Sequence, residues 1–492
     1  LSRLHINTNL AIVLRMNTKV IAVITVGILV VTGIIGAFAL MQQGVKGERD
    51  LTSVALEIYG NANGDSRVDT ADATLVERYI SASSKSNSTE MRRFIADNNF
   101  DVRLADANKD GKIDAADVSQ IRAVVNGNAE RLWFVDGIGA DRSVGLDISR
   151  IGAEYYANTE LCLVLGVADK VVAVDNAPYI YKDFYFTPSQ RANVVNLVNM
   201  NTPDYAFVNE LDLDVLLTFF TNSYDVKQTK LIGTDVIYLG LYNPDMSDAK
   251  GSNFIQGILK AGYIFGAVER AEAYAAWILE TRDKLADIAS TIPDEEKPTV
   301  LMSNYPNSYF IDPDTKTATV YCFTDPLGQA CLLGGGRNVG EMLYGTTYNT
   351  SLSQKSQVDA LFNDDDSIKI DHIFLHMVKY TFAGTVVAGV PDHGYLAQSD
   401  EEITAAWKQA TSSSHTLMVD QDPNDLYLIA GDFRNGPTGA VLLGAYIGKA
   451  INPDHYADID PIALHNEYIN NWLGITDFDV STDGVFLYHP IN

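Results

Sequence analysis

Asn61, Asn63, Asp65, Asp69 and Asp72 stand at positions 1, 3, 5, 9 and 12 of one stretch of chain, and Asp106, Asn108, Asp110, Asp114 and Asp117 repeat that spacing. Short oxygen-bearing side chains at these intervals, joined by the main-chain carbonyls of Arg67 and Lys112 at position 7, can wrap one hard cation in the oxygens that Ca²⁺ prefers. Two matches within about 60 residues predict two calcium sites, whereas a solvated acidic turn would use the same residue types without the repeat. The loops are unequal. The second has four carboxylates and Gly111 at the sharp-turn position; the first has three, with Asn61 leading and Ser66 where a positive φ is wanted. Weaker binding is expected in the first.

Each loop runs into an apolar helix, Ala73 to Ile80 and Val118 to Val125. An Asp at position 12 and no incoming helix before either loop resemble the duplicated type I dockerin over Val54 to Asn128, with a Ser- and Asn-rich insertion at Ser81 to Thr89. The resemblance implies a small all-α calcium module over 53–128 and docking to a cohesin-type partner. Its contact positions read Thr70, Ala71, Ala115 and Ala116, which form no distinctive code. A calcium-stiffened spacer is the alternative use.

Upstream, 22 residues from Val20 to Met41 carry no charge, enough for a helix at about 1.5 Å per residue to cross about 30 Å of hydrocarbon. Arg15 and Lys19 keep its start cytoplasmic, which places the remainder at the cell surface, outside the cytoplasmic membrane. Residues 17–42 are therefore expected to be a transmembrane anchor, or a signal segment cleaved near Ala37-Phe38-Ala39. Residues 1–16 read as an upstream extension. A net charge of −27 repels phosphate backbones and excludes nucleic acid as a partner. Cys162, Cys322 and Cys331 are too few for a disulfide framework; Cys322 and Cys331 either pair or, like Cys162, serve as small buried hydrophobes.

From Arg131 onward, short β-branched runs alternate with helical stretches, the pattern of α/β proteins. Candidate strands are Lys170–Val174, Val215–Phe219, Leu231–Leu239, Thr299–Met302, His372–Leu375 and Leu426–Ile429. Ser252 to Thr291 keeps helical spacing for about 40 residues, with a break expected near Gly262 to Gly266. This divides an N-lobe at 131–250 and a C-lobe at 297–492 from a connecting helix at 251–292.

The segments Asn158–Gly166 with Ala168–Val174, Glu210–Phe219, Lys260–Ile288, Gly334–Gly340, and Gly431–Pro437 with Tyr446–Gly474 are, in this order, similar to the solute-binding proteins of ABC importers for iron chelates and cobalamin. That resemblance implies two Rossmann-like lobes joined by one long helix, with ligand held between them at the carboxyl ends of the strands. It carries over to Tyr155, Tyr156, Asn176, Tyr179, Tyr181, Asn222, Asn304, Tyr305, Tyr309, Arg337, Asn338, His376 and Arg434 as candidate ligand contacts. Glu160 takes the place of the acidic residue through which this family meets its ABC permease.

Enzyme signatures are missing: no G-x-S-x-G, no H-E-x-x-H and no Walker A run occurs. The reading is a non-enzymatic binder of an iron chelate, with a corrinoid as runner-up; Arg337 and Arg434 lean towards an anionic chelate. A surface assembly protein that docks through the calcium module is the reading from another class.

Overall fold

The computed structural model describes residues 51, 54–241, 253–305, 319–347, 350–352, 370–381, 385–397, 400–411, 425–436 and 438–490. The expected membrane segment at 17–42 and Tyr309 lie outside these. Among the described residues, no helix is long and apolar enough to cross a membrane.

Each calcium loop ends by starting a helix. Asp69 caps α1 (Thr70–Ser83) by accepting from the Ala71 amide, and Asp72 reaches back to the Asp69 amide at 2.8 Å. Asp114 and Asp117 repeat this capping box at α3 (Ala115–Val125), so positions 9 and 12 set the local fold as well as the ligand pattern. Between them the Ser- and Asn-rich insertion leads into a further helix, α2 (Ser88–Asp97), started by its own box from Asn87 and Glu90. Leu75 and Val76 of α1 and Val118 and Ile121 of α3 are buried in the shared core.

The module is no separate spacer. Ile58 bridges Phe134 of β1 (Arg131–Val135), which pairs antiparallel with β2 (Asp141–Gly145), and the Val135 amide donates to the Glu57 carbonyl at 3.0 Å. Val54, Leu56 and Ala107 lie in one core with Leu132, Phe134 and Ile258.

The N-lobe sheet is parallel, built from β3 (Ile151–Ala153), β4 (Val171–Val174), β5 (Val195–Asn196), β6 (Val215–Leu217) and β7 (Asp235–Ile237) in the order β5-β4-β3-β6-β7. α4 (Tyr155–Val164) follows β3 and is buried along its whole length. The connector is two helices, α5 (Asn253–Ile264) and α6 (Val268–Ser290). Gly266, at φ +67°, makes the expected break, and Gly262 brings the corner so close that a Cβ there would lie 2.6 Å from that of Ala271.

The C-lobe sheet contains β8 (Thr299–Tyr305), β10 (Arg337–Asn338), β12 (His372–Met377), β13 (Leu426–Ile429) and β14 (Leu487–Tyr488), ordered β10-β8-β12-β13-β14 with β14 antiparallel. β9 (Thr319–Tyr321) and β11 (Thr350–Leu352) form a separate antiparallel pair. α7 (Pro326–Leu333) packs on α8 (Gly439–Ile451), and α9 (Pro461–Glu467) continues into a π-helical turn, Tyr468–Leu473. The glycine run at 334–336 serves this packing: a Cβ on Gly334 would meet Ile447 at 2.6 Å. All three cysteines are buried and free, so Cys322 and Cys331 do not pair.

Candidate functional site

In each lobe the strand order reverses once, between β3 and β6 and between β8 and β12. Loops diverge at such points and leave a crevice beyond the carboxyl ends of the strands. Both crevices open on one cavity of about 300 Å³, to which the N-lobe gives Tyr155, Tyr156, Ala177 and Tyr181. The C-lobe gives Asn304, Tyr321, His376, Lys379, Tyr380, His393 and Arg434, among others.

Tyr155 sits at φ +69°, held there by its amide bond to Asp175 at 2.6 Å and by stacking on Phe219 at 3.8 Å. A non-glycine residue in that region is strained, and the surrounding contacts over-determine it. Burial raises the phenols of Tyr155, Tyr156 and Tyr321, so all three stay protonated. His376 is spanned by the Tyr321 hydroxyl and Asn304 Oδ1, each 3.2 Å from Nδ1, with the Gly431 carbonyl 3.4 Å from Nε2. Burial pushes it well below the usual histidine range. His393 is held down to about 4 for the same reason; its Nδ1 donates to the Pro391 carbonyl at 2.9 Å, leaving Nε2 as the acceptor of a neutral ring. Two of the three Arg434 guanidinium nitrogens, Nε at 3.0 Å and Nη2 at 2.7 Å, donate to the buried Asp325 carboxylate.

Tyr155, Tyr156, Tyr181, Asn304, His376 and Arg434 are thus brought together. Others are not. Arg337 is exposed on edge strand β10 and bonds Thr299 and the Lys297 carbonyl, so the sequence was misleading in placing it at the ligand. Asn338 caps the 339–344 helix by accepting from the Gly340 amide, and the Tyr305 hydroxyl points to Gln409. Asn176 accepts from Asn196, Tyr179 stacks under Lys182, and Asn222 is exposed on a 3₁₀ turn; none lines the cavity. Glu160, expected at a permease-facing surface, is 2% exposed and bonded to Tyr185 and Tyr468, which corrects that expectation. Tyr321, Lys379, Tyr380 and His393 were missed. The last three lie in a stretch without strand or helix periodicity.

In the calcium loops, backbone amides bond the residues expected as ligands. The Asp65 amide donates to Asn63 Oδ1 at 2.9 Å and the Arg67 amide to Asp65 Oδ1 at 2.8 Å; Asn108 and Asp110 repeat this at 3.0 Å each. Asp106 accepts from the amides of Asp110 and Gly111. Position 4 is left-handed in both loops, at Gly64 (φ +67°) and Lys109 (φ +62°), whereas position 6 is left-handed in the second alone, where Gly111 takes φ +87° as expected and Ser66 has no positive φ. Asn61 donates to the Leu56 and Asp65 carbonyls, while its buried Oδ1 has no hydrogen-bond partner. Burial, reinforced by Asp65 and Asp69, raises Asp72 to about 7, and burial raises Asp117 too. An orphaned oxygen and destabilised inward carboxylates fit a cation. Among the described residues, no three His, Cys, Asp or Glu side chains converge tightly enough to hold a metal by themselves. A cation in either loop would need backbone carbonyls and Asn oxygens beside the carboxylates.

Two lobes whose switch points share one cleft, tied by a helical connector, define a bilobal α/β binding-protein fold. The chain is similar to the TroA-like periplasmic binding protein FepB of Veillonella parvula, at 15% identity and TM-score 0.54 over 73% of this chain and 99% of that one. It is also similar to a periplasmic solute-binding protein of the same organism, at 17% and 0.50 over 72% and 97%. A third is the molybdate periplasmic binding protein MolA of a Haemophilus influenzae ABC transporter, at 15% and 0.50 over 70% and 98%. At these identities the likeness establishes the fold. Residues 59–126 match the family model of the dockerin type I domain, so the chain carries such a domain. No curated protein matches the chain.

Proposed function

We propose that this chain is an extracellular solute-binding protein that captures a metal chelate, foremost an iron chelate, and presents it to an ABC permease. The carrying observation is the interlobe cavity, lined by five tyrosines from the two lobes and by two neutral imidazoles from the C-lobe. Phenol faces suit a flat or macrocyclic ligand, and a neutral imidazole such as His393 can take an open position on a chelated metal. Arg434 and Lys379 line the same space, but Asp325 and Asp392 offset their charges, so the preference for an anionic ligand is modest. A corrinoid is the second ligand class. MolA's molybdate adds small oxyanions to those worth testing. The reading is a binder without catalysis, held outside by residues 17–42 as an anchor or cleaved signal, with one Ca²⁺ in each loop.

The dockerin domain favours one further reading, a surface assembly protein that engages a cohesin-type partner. Thr70, Ala71, Ala115 and Ala116 are exposed, as that contact requires. A thermal-shift screen of the full chain against ferric chelates, haem, corrinoids and molybdate separates the two, since a ligand of the native state raises the midpoint. A shift with a chelate or corrinoid supports import. No shift with any of them leaves the assembly reading.

A further inference from the structure

The first calcium loop is gripped from outside at positions 7 and 8. Arg67 forks onto Glu272 of α6, with Nε 2.5 Å from Oε1 and Nη2 on the other oxygen, and the Glu272 side chain is 3% exposed. The Val68 amide donates to the Tyr263 hydroxyl of α5 at 2.8 Å. That amide belongs to the same peptide unit as the Arg67 carbonyl, the position-7 ligand. Because the peptide is planar, the Tyr263 bond fixes the direction in which that carbonyl points. The second loop is tied elsewhere: Lys112 is exposed at position 7, and Lys109 at position 4 reaches Asp141 at 2.7 Å.

The α5–α6 corner in turn holds both lobes. Arg270, two residues before Glu272, donates from Nε to the Val164 carbonyl at the end of α4 and from Nη2 to the Asn471 carbonyl of the C-terminal turn, each at 2.6 Å. Polar contacts from the first loop and from both lobes thus converge on one short stretch of the connector, between Tyr263 and Glu272.

We propose that the first calcium site and the connector corner form one coupled unit, in which Tyr263 and Glu272, though outside the loop, set the calcium affinity of that loop. By linkage, Ca²⁺ bound there orders the corner and steadies the pairing of the lobes. The inference rests on the calcium reading of the loops.

The test is calorimetric titration of chelator-stripped full chain with CaCl₂, comparing the parent with Glu272→Gln, Tyr263→Phe and Asp65→Ala. Asp65→Ala identifies the first site. Glu272→Gln is expected to weaken that same site about fivefold to tenfold and leave the other unchanged, a shift at the lower end of ordinary coupling. Hydrogen exchange should show protection of residues 260–275 gained with Ca²⁺ in the parent and reduced in the variant. Should Glu272→Gln misfold, Tyr263→Phe, which removes a single oxygen, carries the test. If Asp65→Ala abolishes a site that Glu272→Gln and Tyr263→Phe leave at parental affinity, the coupling is overturned while the calcium reading stands. If the parent binds no Ca²⁺, both fall.

Discussion

Glu160 of the N-lobe accepts the hydroxyl of Tyr468, 308 residues later in the C-lobe, at 2.5 Å, and its other oxygen accepts Tyr185 at 2.6 Å. Both bonds favour the ionised carboxylate, yet burial wins and raises the group to about 7. In the unfolded chain an ordinary Glu ionises near 4.3. The folded state therefore keeps a proton that the unfolded state loses, and stability falls as pH rises between those values. The slope should flatten in Glu160→Gln, by at most about 3 kcal/mol across the window. Melting midpoints of parent and variant from pH 4.5 to 8 would check it, parallel curves being the contrary result.

Arg434 and Arg337 should behave oppositely. Arg434→Ala removes the cationic partner of a fully buried carboxylate, and breaking such a pair costs about 3 kcal/mol or more. Arg337→Ala removes an exposed side chain from edge strand β10 and should change stability by less than about 0.5 kcal/mol. Urea unfolding of both variants decides this. Equal losses would mean that β10 depends on its arginine more than its exposure suggests.

His393→Ala should weaken an iron chelate that has an open metal position by about tenfold or more, and spare one whose metal is fully coordinated. Fluorescence titration with two such chelates measures the difference. The same loss for both would make His393 a wall of the cavity and no metal ligand.

Among the candidate calcium ligands, Asp106→Ala should cost more total affinity than Asp65→Ala, because the second loop has four carboxylates to the first loop's three. The reverse order in calcium titrations would mean that external support of the first loop outweighs its missing charge.

The dockerin domain was legible because a fixed spacing of oxygen-bearing side chains is a local property, and the same aspartates start the helices that follow. The strands around 171, 215, 299, 372 and 426 were legible as apolar runs, and the break at Gly266 as two nearby glycines. The cavity was only half legible. Tyr155, Tyr156 and His376 sit directly at strand ends, where topology alone places them; Tyr380 and His393 come from irregular chain whose path depends on tertiary packing. Arg337 misled because a glycine-rich run resembles a ligand loop, while here it lets α7 approach α8. The burial of Glu160 could not be foreseen from its helix, since its partners Tyr185 and Tyr468 come from opposite ends of the two-lobed region.

The bridge of Ile58 to Phe134, the Val135 amide on the Glu57 carbonyl and the shared core around Leu56, Phe134 and Ile258 tie the dockerin domain to the region that carries the N-lobe. A partner that grips α1 and α3 therefore fixes the compass bearing of the cleft mouth, and two such chains on one scaffold would face directions set by the scaffold's own geometry.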